Sequence, residues 1–174
     1  MRDVELSAIP SGPEFMAWWQ SLPRNGHGLA PRMEDYLDRP KPEFAPWALI
    51  VDVAREEYLT IRLFGTGLTD SFGELTGRNY LDYMPAAFRP AIGRSHRVMA
   101  EVPCGRLTLA SAITTGGRNV VLGMVSLPLS SHGKVGHIVK LTRIIDQLDF
   151  SEGLTGVDRV FGQSWVDLGA GVPD

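Results

Sequence analysis

The stretch WALIVDVAREEYLTIRLF, residues 47–64, decides the fold. Trp47, Leu49, Val51 and Val53 alternate with smaller or polar residues. Leu59, Ile61 and Leu63 then alternate with Tyr58, Thr60 and Arg62. Alternation with a period of two marks a strand with one buried face. Only Arg55-Glu56-Glu57 separates the two runs, so Trp47–Ala54 and Tyr58–Phe64 are read as an antiparallel hairpin.

Downstream, the pattern changes to short helical pieces. Thr66–Phe72 forms the first, Thr76-Gly77-Arg78-Asn79 is a turn, and Leu81–Met84 adds another piece before Pro85. A longer helix is predicted over Pro85–Glu101, split or kinked by Pro90. It places Phe88, Ile92, His96 and Met99 on one side at three- and four-residue spacing. Three strands follow, Arg106–Ile113, Asn119–Leu129 and Val135–Ile145, joined through Thr115-Gly116-Gly117 and Ser131-His132-Gly133. Both joints are short glycine-containing loops of hairpin type.

Upstream, Glu14–Leu22 reads as a short helix opened by Pro13. Phe15, Trp18, Trp19 and Leu22 share one side of it, and such a stripe must bury against this domain's own sheet or against a second subunit. Pro23, Pro31, Pro40, Pro42 and Pro46 keep the next segment irregular, apart from a helical turn at Glu34–Leu37. The order is an α+β design: a five-stranded antiparallel sheet with helices on one face, an N-terminal helix and a C-terminal tail. The boundaries are a loose tail over 1–13, one domain over 14–146 and a tail over 147–174. In that last segment Val157, Val160, Phe161, Trp165, Val166 and Leu168 suggest a docking helix. A cavity between the central helices and the sheet is the natural place for a ligand.

Composition narrows the function classes. The 174 residues are 44% hydrophobic and 21% charged, as in an ordinary globular protein. The net charge of -3 supplies no positive field for nucleic acid. No apolar run approaches the ~20 residues of a membrane helix, and the acidic start Met1-Arg2-Asp3-Val4-Glu5 is no signal peptide. With the single cysteine, Cys104, these features lead us to expect a cytoplasmic protein without nucleic-acid or membrane partners.

Several motifs, in this order, resemble the single-domain PAS family widespread in alphaproteobacteria. They are Trp18-Trp19; Leu29-Ala30-Pro31-Arg32 leading to Glu34-Asp35; Ile61-Arg62-Leu63-Phe64-Gly65-Thr66-Gly67-Leu68; Phe72-Gly73-Glu74-Leu75-Thr76-Gly77-Arg78; and Leu127-Pro128-Leu129-Ser130. The likeness runs from about Phe15 to Ile145. It implies a PAS fold and a bacterial sensory or regulatory role, exercised through a small-molecule ligand, a protein partner, or both. It also implies a homodimer, for which Phe15, Trp18 and Trp19 are the candidate contacts.

The candidate pocket residues are Arg62, Phe64, Tyr80, His96, Met99, Leu109 and Met124. Arg62 has a plainer reading as the partner of Asp52 across the hairpin. His96 lies where haem-binding PAS proteins carry an axial histidine; the ordinary alternative is a packed histidine. Light-sensing flavin PAS domains carry a cysteine after Gly-Arg-Asn, but here Gly77-Arg78-Asn79 is followed by Tyr80, which removes the adduct-forming sulfur. Cys104 reads as a small buried hydrophobe. His27, His132 and His137 have no partners at metal-ligand spacing, so no metal is assigned. No nucleophile, base and oxyanion set can be assembled, so no catalytic residue is named and a non-enzyme is expected. The alternative reading is a carrier or enzyme of another α+β cavity fold.

Overall fold

The computed structural model describes residues 2–24, 28–146 and 152–173. Helix α1 (Gly12–Ser21) and the short helix α2 (Met33–Leu37) precede the hairpin of β1 (Ala48–Asp52) and β2 (Ile61–Phe64). Helices α3 (Thr66–Phe72) and α4 (Arg89–Glu101) follow. The long strands β3 (Gly105–Thr114), β4 (Asn119–Ser131), β5 (Lys134–Ile144) and β6 (Leu154–Val166) complete the chain. All strand pairs are antiparallel, in the order β2-β1-β5-β4-β3-β6. The architecture is α+β with an open sheet of six strands, one more than the sequence predicts.

The sixth strand lies in the C-terminal segment read as a docking helix. β6 pairs with β3 along its whole length, but the register shifts at Leu109/Ala110, Ser111/Ala112 and Ile113/Thr114. Each shift inserts an unpaired residue and reverses the in-out phase. The apolar residues of β6 therefore show no period of two and imitate helical spacing. A second correction concerns α4. It begins at Arg89 with Pro90 in its first turn, where a missing N–H costs nothing, so the proline starts the helix instead of kinking it.

Both faces of the sheet are covered. Ala48, Ile50, Leu107, Leu109, Val125, Leu127, Val139 and Leu141 face the N-terminal elements, where Val4, Ile9, Phe15, Trp19, Tyr36 and Phe44 complete a core. Leu49, Val51 and Ile138 face α3, α4 and the turns between them, with Leu68, Leu81, Ile92 and Met99. Phe15 and Trp19 thus bury on the chain's own sheet, at 0% and 1% exposure, and present no stripe to a second subunit. Trp18 remains half-buried against Tyr36 and Phe44.

Two glycines shape the turn from β2 into α3 and the loop beyond. Gly77 has φ +81, which a side chain would strain. Gly65 has an ordinary φ of -66; its constraint is close approach. A Cβ there would stand 2.4 Å from the carbonyl oxygens of both Ala45 and Pro46. Gly65→Ala is expected to cost about 1–3 kcal/mol through displaced backbone, checked by urea denaturation.

Candidate ligand-binding site

Cross-strand register builds the site in two rows on the α4 side of the sheet. One row is Trp165, Arg106, Ser126, Lys140 and Leu49; the next is Gln163, Thr108, Met124 and Thr142. Sandwiched strands normally carry apolar residues on both faces. Here one face carries instead a buried polar band: Arg106, Thr108, Ser126, Lys140 and Thr142 are all buried.

The second row borders an apolar cavity of about 40 Å³, walled by Phe64, Leu68, Phe72, Tyr80, Met124 and Thr142 among others. Tyr80 closes the side toward the first row. Its hydroxyl donates to Met124 Sδ at 3.8 Å, and Lys140 Nζ lies 5.1 Å from its ring centre. Burial pushes the Tyr80 hydroxyl up to about 12, so it stays protonated. The Thr142 hydroxyl, on the cavity wall, is buried with no hydrogen-bond partner among the described residues.

The first row holds the charges. Arg106 is 8% exposed, Lys140 5%, and His96, above them on α4, 1%. Arg106 Nη1 donates to Ser95 Oγ, which donates to the Ile92 carbonyl at 2.7 Å. The guanidinium also lies 5.4 Å from the Trp165 ring centre, a cation–π contact. Lys140 Nζ donates to Ser126 Oγ at 2.9 Å. Burial, followed by repulsion from Arg106, lowers the Lys140 ammonium to about 7. His96 Nδ1 lies 2.7 Å from the Ile92 carbonyl. A carbonyl only accepts, so Nδ1 carries the proton and Nε2 presents a lone pair, buried and unpartnered among the described residues. Burial first, then Lys140, keeps this imidazole neutral by lowering its pKa well below the ordinary value.

No ion pair to Arg106 or Lys140 occurs among the described residues; their electrical neighbours are each other, His96, Tyr80 and Cys104. A buried charge normally has a counter-ion, because removing it from water costs several kcal/mol. Lys140 can shed its proton at that cost, whereas a guanidinium cannot. The arrangement is therefore an internal cationic patch beside an apolar cavity, suited to holding an anion.

The sequence-predicted pocket residues divide. Phe64, Tyr80 and Met124 line the cavity. His96 and Met99 lie on the buried side of α4 nearby, without lining the cavity. Leu109 lies on the opposite face of the sheet, in the core under α1, because β3 turns its polar residues toward α4 and its leucines away. Arg62 is exposed and pairs with Asp52 at 2.6 Å, as the plainer reading has it; His137 Nδ1 also approaches Asp52 at 2.6 Å. Arg62→Gln is expected to cost under ~1 kcal/mol in thermal denaturation, because the pair is exposed and screened.

Haem does not fit these residues. The cavity is far smaller than a porphyrin, and His96 shares its surroundings with two cations. Cys104 is buried and its thiol is pushed up to about 11 by desolvation, which leaves it a small hydrophobe. No cluster of metal-ligating side chains occurs among the described residues, and His27 lies outside them. None of the described helices is long and apolar enough to cross a membrane.

Sequence reasoning missed Arg106, Ser126, Lys140 and Thr142. Their signal was present, since each alternates with apolar residues inside a strand, but alternation alone reads as a solvent-facing side. No protein-family model matches the chain, and comparison with curated proteins finds no match.

Proposed function

We propose that this chain is a PAS-type regulatory module that binds a small molecule between its central helices and its sheet and passes the signal to a protein partner. The observation that carries this reading is the apolar cavity beside buried, uncompensated cations. A purely structural core gains nothing from an unpaired guanidinium, whereas a binding site uses it. The element order supports the PAS assignment: a hairpin, short helices over one sheet face, then three consecutive antiparallel strands. Binding would act on α3 and the turns that follow it, which roof the cavity, and so reach the surface. Homodimerisation belongs to the same reading. Its contacts would lie outside Phe15 and Trp19, which the core consumes.

Native mass spectrometry of freshly purified protein, with an absorption spectrum of the same sample, tests the reading. A bound small molecule without a Soret or flavin band is the expected result, and the same spectrum gives the oligomer mass. A bare mass that stays bare across a metabolite library would overturn it.

A further inference from the structure

We infer that the ligand is a short aliphatic monocarboxylate, its carboxylate serving as the missing counter-ion of Arg106 and Lys140 and its tail entering the cavity beyond Tyr80 and Met124. This inference rests on reading the cavity as a ligand site. Its first support is charge. Two cationic side chains, each less than a tenth exposed, share one sheet row, and no carboxylate pairs with them among the described residues. The third basic group there, His96, presents only a lone pair and supplies no negative charge.

The second support is an unpartnered polar atom on the cavity wall. The Thr142 hydroxyl is 96% buried as a residue and bonds to nothing described. Thr142 stands two residues from Lys140 on the same strand face, about 7 Å away along β5. Arg106 and Lys140 do not line the cavity, so binding requires the Tyr80 ring between them and it to turn aside. An anion held at Lys140 and Arg106 can then accept from this hydroxyl while its tail passes between Leu68 and Phe72.

Size and shape supply the third support. A cavity of about 40 Å³ is well below the ~150 Å³ that accepts a benzene ring. It suits a few methylene groups and excludes long acyl chains and aromatic acids. The forked guanidinium favours a planar carboxylate, which it can meet with two parallel N–H bonds.

The test is titration of the full chain with sodium butyrate and with butyramide, a neutral analogue of nearly the same shape, against a sodium chloride control. Calorimetry and thermal unfolding are read together. Butyrate is expected to bind saturably and raise the melting temperature, while butyramide binds at least tenfold more weakly. Arg106→Met and Lys140→Met are each expected to weaken butyrate binding tenfold or more. Both variants lose an uncompensated buried charge, so they keep the fold; should one not, the other carries the test.

Equal binding of butyrate and butyramide would overturn the carboxylate assignment while leaving a ligand cavity in place. Undiminished butyrate binding by both variants would overturn the site. No binding of either compound would overturn the inference. In that event a small molecule found in the native mass spectrum would preserve the broader ligand reading, and a bare spectrum would remove it too.

Discussion

Replacing Lys140 by methionine is expected to stabilise the unliganded protein, and to do so in a pH-dependent way. Lys140 is 5% exposed, donates to Ser126 and has Arg106 as its charged neighbour. Burial holds its folded-state value at about 7, against an ordinary 10.5. Above pH 10.5 the amine is neutral whether the chain is folded or not, and the buried position carries no charge penalty. Between 10.5 and 7 the unfolded chain binds a proton that the folded chain refuses, so the wild type loses stability steadily as pH falls. Below about 7 both states are protonated, and the full penalty remains. Methionine has nearly the same length and no charge. The expected gain is about 1–4 kcal/mol at pH 6–7, by analogy with other apolar replacements of buried charges. For a chain of this size that is on the order of 2–16 °C in melting temperature. The difference between variant and wild type should shrink as pH rises toward 10. A difference independent of pH would mean that Lys140 is not held in this environment. Saturating butyrate should also narrow the gap at neutral pH, since only the wild type gains a counter-ion.

The same lysine shows why the fold was more legible than the site. The hairpin of β1 and β2 announces itself because Leu59, Ile61 and Leu63 alternate with polar residues across a three-residue turn. The later strands are legible from their apolar runs and glycine turns. β6 is not, because three register shifts against β3 break its periodicity. The site was obscured by a different ambiguity. Alternation in β3 says that Arg106 and Thr108 share one face and Leu107 and Leu109 the other; it does not say which face meets water. The expectation of Leu109 in the pocket takes the leucine side of β3 as the one facing α4, and the structure turns that side the other way. The answer lay in Phe15 and Trp19. Once that helix is laid on the chain's own sheet, the leucines of β3 must lie under it. Arg106, Ser126 and Lys140 are then left beneath α4. The stripe must bury against something, and its choice of partner decides where the polar band lies.

That choice is testable at Trp19. Trp19→Ala is expected to cost about 3–5 kcal/mol, the usual range for a fully buried large aromatic residue. The side chain is 1% exposed, its Nε1 donates to the Pro128 carbonyl at 3.1 Å, and the Arg24 guanidinium stacks 4.5 Å from its ring centre. Truncation opens a cavity between α1 and the sheet and removes the bond that ties α1 to β4. Trp19→Phe keeps much of the volume and loses the hydrogen bond, so it should cost about 1–2 kcal/mol. Trp18→Ala, at a half-buried position, should cost less than Trp19→Ala. Urea denaturation followed by circular dichroism gives these differences, and sedimentation at low urea gives the oligomeric state. If α1 is a core element, Trp19→Ala lowers the midpoint without changing the sedimenting mass under native conditions. If α1 is a docking helix instead, the variant keeps its midpoint and the mass falls. With Phe15 and Trp19 fully inside the chain, their burial requires the first outcome. On the proposed regulatory reading, a partner contact would use surfaces next to the cavity roof, above all α3, rather than the helix that seals the opposite face.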